Sequence, residues 1–169
     1  MASGAYAVSY VIRPVANTDG EAIVGIFNYY VEHTMAAYPE QKVPPAFFEM
    51  LSLMARGYPF YVAEEAGNVI GYALLRPHNP MPAFRGTAEL TCFILPGHTG
   101  KGIGTALLDR LVSDAKGMGI EVILASVSSA NEGSIGFHLK HGFARCGTFT
   151  RVGKKFGRAF DEVWLQRFI

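Results

Sequence analysis

Little in this chain of 169 residues points to nucleic acid, a membrane or an oxidising compartment. The net charge is +1 at pH 7, which is too small to attract nucleic acid or an anionic bilayer. No apolar run approaches the roughly 18 residues of a membrane span, and the first ten residues lack the Lys or Arg of a signal peptide. Cys92 and Cys146 form no C-x-x-C pair, so we predict a reduced, cytoplasmic protein without a metal cofactor.

What the chain does contain is enough apolar sequence for one globular domain. Hydrophobic residues make up 50% of it and charged residues 17%. A chain of this length buries roughly 70% of the surface that it exposes when unfolded. No repeat, low-complexity tract or charge block divides it, and we therefore predict a single domain over residues 1–169.

The most informative segment is a glycine-rich turn between an apolar strand and an amphipathic helix. Gly100, Gly102 and Gly104 alternate in this turn, and the sequence that follows repeats apolar residues at helical spacing. Glycines leave the backbone amides uncovered, and a helix N-terminus carries the positive end of the helix dipole. Together these features predict an anion site suited to a phosphate-bearing cofactor.

Three kinds of phosphate loop and a simple turn compete for this segment. A P-loop, G-x-x-x-x-G-K-[S/T], is excluded because only two residues separate Gly97 from Gly100 and Gly102 stands in the Ser/Thr position. A dinucleotide loop needs G-x-G-x-x-G and an acidic residue after the next strand, but the spacing is G-x-G-x-G and the next strand ends in Ser-Val. The pyrophosphate loop of acetyl-CoA-dependent N-acetyltransferases, [Q/R]-x-x-G-x-[G/A], fits everywhere except at Thr99. A tight turn whose glycines serve geometry alone stays open.

The remaining patterns predict eleven elements in the order β-α-α-β-β-β-α-β-α-β-β. A Thr18-x-x-Glu21 capping box is expected to open the first helix. The strand–helix–strand order of the second half implies a parallel pair with a right-handed crossover in an otherwise antiparallel sheet. The expected strands are 6–14, 60–64, 69–75, 87–95, 122–127, 143–152 and 159–168, with further helices over 45–56, 102–118 and 132–141.

This order, together with several motifs, resembles the GNAT acetyltransferases, and in particular their phosphinothricin / methionine sulfoximine N-acetyltransferase branch. The resemblance covers nearly the whole chain. It is carried by the glycine loop, the N-x-x-S-x-x-x-H helix of 131–138 and the V-G-x-K-F-G-R segment of 152–158, which together are specific. It implies an α/β fold of the α+β, mixed-sheet kind with about seven strands and four helices, acetyl-CoA as co-substrate, and a homodimer.

Two residues are candidates for the chemistry. Glu89 is the only charge between Thr87 and Leu95, and a carboxylate on a largely buried strand costs several kcal/mol unless it is hydrated or paired. The resemblance implies that Glu89 is the general base that deprotonates an amine, while an ion pair with Arg85 is the structural alternative. The resemblance also implies that His138 protonates or hydrogen-bonds the departing CoA thiolate, with an ordinary buried histidine as the alternative.

The resemblance further implies where acetyl-CoA binds. Its pantetheine arm is expected to insert between two splayed strands, where backbone amides near Ile94 and Leu95 would hold the oxyanion. Its pyrophosphate is expected over the loop at 100–105. The expected contacts are Phe93, Ile94, Leu95, Thr99, Gly100, Lys101, Gly102, Ile103, Gly104, Thr105, Asn131 and Ser134.

The acceptor side departs from the branch. Arginines common in the loop over 76–85 are replaced by Asn79 and Met81. Tyr38, Arg85 and Lys155 are the substrate contacts that the resemblance implies. Ordinary core packing stays open for Tyr38, and contact with a dimer mate or a solvated hairpin turn stays open for Lys155.

We therefore predict acetyl transfer to the primary amine of a small amino-acid-like substrate, by direct attack in a ternary complex. Neither cysteine has motif support as a nucleophile, which leaves no reason to expect an acetyl-enzyme. A protein N-terminus, a polyamine or an aminoglycoside as acceptor, or a non-catalytic CoA-binding module, are the alternatives. We predict no nucleic-acid or membrane partner.

Overall fold

The computed structural model describes residues 9–169, and over this range the chain forms one mixed sheet of seven strands flanked by four α-helices. The predicted element order is confirmed, and residues 6–8 of the predicted first strand lie outside the described range. The strands are β1 Tyr10–Pro14, β2 Phe60–Glu65, β3 Asn68–Pro77, β4 Thr87–Ile94, β5 Val122–Ser128, β6 Ala144–Lys155 and β7 Arg158–Phe168. The helices are α1 Gly20–His33, α2 Phe47–Met54, α3 Ile103–Gly117 and α4 Glu132–Lys140.

The sheet has the order β1-β2-β3-β4-β5-β7-β6. Only β4 and β5 are parallel, because α3 connects them as a crossover. Helices α1 and α2 cover one face, where Ile23 and Leu74 are fully buried, and α3 and α4 cover the other, where Leu107 and Leu165 are fully buried. Each such side chain contributes about 1.5–3 kcal/mol by leaving water. No helix within 9–169 is both long and apolar enough to span a bilayer.

The parallel strands β4 and β5 separate halfway along their length. Residues Thr87–Glu89 of β4 pair with Val122–Leu124 of β5, and no pairing between the two strands follows. In contrast, β4 remains paired with β3 as far as Ile94, and β5 remains paired with β7 as far as Ser128. Beyond Glu89 the facing edges of the two strands therefore carry backbone groups that they do not exchange with each other. The predicted splay is present, and it opens between the two helical layers.

Strand alternation decides which amides face this gap. The Leu95 amide donates to Ile70 O at 2.7 Å, so it is directed at β3 and is already used. Because successive residues of a strand point their backbone groups to opposite edges, Ile94 faces the gap instead. The Ile94 carbonyl accepts a hydrogen bond from the Tyr30 hydroxyl at 2.5 Å, which connects α1 to β4 in the region where β4 and β5 are separated. Of the two amides expected to hold an oxyanion, only that of Ile94 is directed into the gap.

The start of α1 differs from the prediction. The Thr18–Glu21 capping box is wrong, since a short 3₁₀ turn precedes the helix and Asp19 stands at its N-cap position without a side-chain cap. The Asp19 carboxylate instead accepts from the Ala16 amide at 2.7 Å and pairs with Arg13 at 2.8 Å. The Arg13 guanidinium lowers the pKa of Asp19. The prediction failed because Thr18 lies inside the 3₁₀ turn over Asn17–Asp19 and not at the N-cap of the helix.

Two hairpin turns fix the registers of the outer strands. The first lies at Ala66–Gly67, one residue before the expected position, and the second at Phe156–Gly157. All four residues have positive φ, as type I′ turns require, and this turn type matches the twist of paired strands. The second turn extends β6 to Lys155, beyond its predicted end at residue 152.

Candidate active site

A cavity of about 620 Å³ opens where β4 leaves β5. We call it the loop cavity, because the glycine-rich turn forms one wall and α4 forms another. Nine of the twelve residues expected to contact a phosphate-bearing cofactor line it: Phe93, Ile94, Thr99, Gly100, Gly102, Gly104, Thr105, Asn131 and Ser134. Leu95, Lys101 and Ile103 do not. Ile103 is 1% exposed and packs in the core, so any contact from this residue would come from its backbone.

The charges around the loop cavity favour an anion. Its lining contains Lys140 and three histidines, and no Asp or Glu. One of them, His141, holds Thr105: its Nδ1 donates to Phe137 O at 2.7 Å, and its Nε2 makes a hydrogen bond with the Thr105 hydroxyl at 2.9 Å. Thr99, which departs from the branch pattern, is exposed at the rim.

Two glycines have a geometric reason to be in the turn. Gly102 is the N-cap of α3 and has φ of 82°, a left-handed conformation that costs any other residue energy. Gly104 has no left-handed requirement, but a Cβ there would lie 3.1 Å from the ring of Phe137. Gly104 therefore lets α3 and α4 approach closely, and both Gly104 and Phe137 line the loop cavity.

A second cavity, of about 440 Å³, lies on the face of the sheet covered by α1 and α2. We call it the sheet cavity. Its polar lining comes from β3, β4, β5 and β7 and from Asn131, Ser134 and His138 at α4, and its apolar wall comes from α1 and α2. The apolar residues of this wall are Phe27, Phe47, Met50, Leu51 and Met54.

Glu89 lines the sheet cavity, and each of its two carboxylate oxygens contacts a basic side chain. Arg76, its register partner on β3, donates to Oε2, and His78 Nδ1 lies 2.8 Å from Oε1. The side chain of Glu89 is only 12% exposed, and its ion pair with Arg76 offsets part of the cost of burying the carboxylate. The alternative ion pair with Arg85 is wrong. Arg85 is exposed on the connecting loop, where its Nε donates to Pro82 O at 3.2 Å.

The two cavities meet. Six residues line both of them: Ala36, Cys92, Phe93, Asn131, Ser134 and His138. Asn131 caps α4 by accepting from the Ser134 amide at 3.2 Å, so one residue both caps the helix and lines the site. A ligand in the loop cavity and a ligand in the sheet cavity would therefore approach each other beside His138.

The protonation state of His138 follows from its position on α4. Its Nδ1 lies 2.7 Å from the backbone carbonyl of Ser134, which can only accept, so Nδ1 carries the proton. Burial lowers the pKa of His138, and the neutral ring has Nε2 as a proton acceptor. In this form His138 cannot donate a proton from Nε2 before it has taken one up.

Cys92 lies at the same junction but is not an activated nucleophile. Burial raises the pKa of its thiol to about 12. A nucleophilic cysteine needs the thiolate, which this environment disfavours. Cys92 therefore offers a small neutral surface between the two cavities.

The structure places Tyr38 and Lys155 in different surroundings. Tyr38 lines the sheet cavity, stacks on Phe160 with ring centroids 5.4 Å apart, and stays 44% exposed. Lys155 lines neither cavity. It is fully buried, and its ammonium donates to three backbone carbonyls at and beyond the end of α1. The expected contact of Lys155 with substrate is therefore absent from the described lining.

Several residues of the site were not among those predicted from the sequence. Arg76, His78, Ser126, Glu162 and Trp164 surround Glu89 or the sheet cavity, and Tyr30 reaches the splay. Strand alternation alone would have placed some of them on the face of Glu89. Their convergence, however, depends on β7 lying beside β5, and the chain order does not reveal that neighbourhood.

Comparison with known proteins gives consistent matches. The chain matches the acetyltransferase (GNAT) family over residues 13–143. It is 37% identical over 159 residues to the L-amino acid N-acyltransferase of Escherichia coli K12, covering 92% of this chain and 91% of that protein. It is 36% identical over 164 residues to the L-methionine sulfoximine/L-methionine sulfone acetyltransferase of Pseudomonas paraeruginosa, covering 94% of each. The crystal structure of a phosphinothricin acetyltransferase from Sinorhizobium meliloti in complex with acetyl-CoA superposes with a TM-score of 0.88 at 32% identity, covering 95% of this chain and 88% of that one.

Proposed function

The chain belongs to the acetyltransferase (GNAT) family and is an acetyl-CoA-dependent N-acetyltransferase, and from this premise we propose that its acceptor is the primary amine of a small amino-acid-like compound. One observation carries the proposal: the loop cavity and the sheet cavity meet beside His138, so two small molecules can react there. The relatives that act on L-amino acids and on methionine sulfoximine support the acceptor class.

The loop cavity fits acetyl-CoA. Its lining is free of carboxylates, the turn leaves backbone amides open, and the N-terminus of the 15-residue helix α3 faces the same space. Residues 99–105 would hold the pyrophosphate, and the unpaired edge of β4 would hold the pantetheine arm. Acetyl-CoA supplies the activated acetyl group as a thioester.

Glu89 is proposed to take the first proton. An amino-acid amine arrives as an ammonium ion and has to lose a proton before it becomes a nucleophile. Oε1 and Oε2 of Glu89 are the proton acceptors on the sheet-cavity side, and a proton reaches them directly or through a water molecule. His78 and Arg76 fix the orientation of the carboxylate.

His138 is proposed to move the second proton. Its Nε2 is a free acceptor in the neutral ring, so it takes the proton that the nitrogen loses as the new amide forms. The imidazolium then has a proton to give to the departing thiolate. This order reverses the simple expectation that His138 starts as an acid, and it keeps the protons balanced: one goes to Glu89 and one to the thiolate.

The backbone of β4 is proposed to stabilise the developing charge on the carbonyl oxygen. Because the Leu95 amide is bonded to Ile70, the Ile94 amide is the donor left on the side of the gap. A fixed backbone donor stabilises an oxyanion without reorganising during the reaction. The amine therefore attacks the thioester directly while both substrates are bound, and Cys92 stays a neutral thiol.

The test is release of CoA thiol from acetyl-CoA across a panel of amines. The panel contains methionine sulfoximine, phosphinothricin, L-amino acids, polyamines, aminoglycosides and short peptides. We expect turnover confined to the amino-acid analogues and lowered roughly 100-fold or more in Glu89→Gln, since a positioned base contributes about that much. Glu21→Gln, the same change at an exposed site on α1, is the matched control and should match the wild type.

Two results would contradict this proposal. Acetyl-CoA binding without turnover of any amine would indicate a binding module. Turnover confined to peptides or aminoglycosides would show that the acceptor is not a small amino-acid-like amine.

We further propose a cytoplasmic homodimer. The edge strand β6 exposes Phe149 and Val152, which are 58% and 59% accessible, and this apolar edge supports pairing with a second copy. Light scattering after size exclusion should give twice the chain mass, and Phe149→Lys should lower it. A monomeric mass at micromolar concentration would contradict the dimer.

A further inference from the structure

Strand β7 brings an additional carboxylate into the sheet cavity. Glu162 and Trp164 lie opposite Ser128 and Ser126 of β5, on the sheet face that also carries Glu89. Both Glu162 and Trp164 line the sheet cavity. The sheet cavity therefore contains a second acidic side chain besides Glu89, the proposed general base.

The two carboxylates differ in what neutralises them. Arg76 and His78 contact Glu89, as described above. Glu162 accepts a hydrogen bond from the Ser126 hydroxyl at 2.5 Å, and within residues 9–169 no Lys, Arg or His nitrogen lies within 4.0 Å of it. The sheet cavity is thus left with one negative charge that the protein does not pair.

Trp164, two residues along β7 from Glu162, has a polar atom without a partner. Its indole Nε1 is buried and makes no hydrogen bond to any described residue. The indole N–H can only donate, so it needs an acceptor, whereas the Glu162 carboxylate keeps acceptor capacity beyond its bond to Ser126 and is stabilised when a cation approaches it. A substrate that carries both a cationic group and a hydrogen-bond acceptor, as an amino acid does, would satisfy both residues.

The rest of the cavity restricts the shape of that substrate. Helices α1 and α2 supply an apolar wall, which suits an aliphatic stem rather than a polar one. An acceptor that fits has its reacting amine near Glu89 and His138, an apolar stem along the helices, and a positive group at Glu162.

We propose that Glu162 selects acceptors that carry a second cationic group beyond the reacting amine, such as a basic amino acid. This inference rests on the proposed acetyl transfer and narrows its substrate class. Glu162 would contact the substrate and determine specificity without taking part in proton transfer.

The test compares L-lysine with L-norleucine, which share the amino acid head and the length of the aliphatic stem and differ in the terminal ammonium. For the wild type we expect kcat/KM to favour lysine at least tenfold. In Glu162→Gln we expect this preference to fall at least tenfold, mainly through KM for lysine, while kcat/KM for norleucine stays the same or rises. Glu162→Asp keeps the charge and should keep part of the preference, and Glu21→Gln should keep all of it.

The outcomes separate this inference from the function on which it rests. Turnover of norleucine equal to that of lysine, or a preference that Glu162→Gln leaves unchanged, would overturn the role of Glu162 and leave acetyl transfer standing. An equal loss for both substrates would show a general structural or catalytic role and would also overturn it. Absence of turnover with every amine would overturn both proposals. If Glu162→Gln does not fold, as judged by circular dichroism, the wild-type ratio and Glu162→Asp still decide.

Discussion

The change Lys155→Met tests how the end of α1 is held. The Lys155 ammonium donates to Val31 O at 2.7 Å, Thr34 O at 2.7 Å and Ala37 O at 2.6 Å. Val31 belongs to the last turn of the helix, where carbonyls have no partner within the helix and the dipole is negative. The buried Lys155 ammonium therefore provides hydrogen bonds to backbone carbonyls both in the last turn of α1 and in the segment that follows it.

The magnitude follows from what the change removes and what it leaves behind. Three charge-assisted hydrogen bonds disappear, each contributing about 1.5–3 kcal/mol, and three carbonyls stay in a site that water does not reach. Against this, the methionine no longer has to bury an ammonium, whose transfer from water costs several kcal/mol. We expect a net loss of roughly 3 kcal/mol in the free energy of unfolding. For a chain of this size that corresponds to a fall in Tm of roughly 6–12 °C.

The effect should also reach the acceptor site, since the segment after α1 carries Ala36 and Tyr38 into the sheet cavity. We expect KM for the acceptor amine to rise more than KM for acetyl-CoA. Calorimetry and steady-state kinetics measure the two effects, and Lys154→Met, at an exposed neighbouring position, is the control that should change stability by no more than about 0.5 kcal/mol. Equal Tm values for Lys155→Met and Lys154→Met would refute the reasoning.

Two further predictions concern the α3–α4 contact and the buried histidine. In Gly104→Ala the new Cβ would lie 3.1 Å from the Phe137 ring, so we expect KM for acetyl-CoA to rise roughly tenfold, equivalent to about 1.4 kcal/mol. The control is Gly117→Ala in the same helix, where nothing lies within 4 Å of the new Cβ and KM should stay unchanged. Equal KM values for the two variants would argue against a packing role for Gly104. Because burial lowers the pKa of His138 from 6.5, the unfolded chain takes up this proton first, and stability falls as pH drops from 6.5 to the folded pKa. Urea denaturation at pH 7.5 and 5.5 should show a smaller acid-induced loss in His138→Asn, and an equal loss would contradict a lowered pKa.

Much of the fold was predictable because its signals are local. The alternation in β4 and the helical spacing of α3 indicate which face each element buries, whatever lies across from it. The glycines of the turn at 100–104 likewise predict uncovered amides beside a helix N-terminus. Element order followed from these patterns, and errors remained at boundaries such as the start of α1, where a 3₁₀ turn that contains Thr18 precedes the helix.

The candidate site was predictable only where its residues share one element. Asn131, Ser134 and His138 lie on one face of α4, and their spacing is visible in the sequence. The direction of proton transfer at His138 was not visible, because it depends on the hydrogen bond of Nδ1 to a carbonyl.

The amino-acid sequence alone determined the glycine loop, the order of strands and helices, and the resemblance to an acetyltransferase family. Only the tertiary structure decided that Glu89 pairs with Arg76 rather than Arg85, that Glu162 meets Ser126, and that Lys155 serves the backbone rather than a substrate. The physical reason is distance along the chain. Local propensity acts over a few residues, whereas Glu162 lies 36 residues from Ser126, and Lys155 lies 118 to 124 residues from its carbonyl partners. Such contacts form only when hydrophobic burial has closed the sheet and placed β7 beside β5.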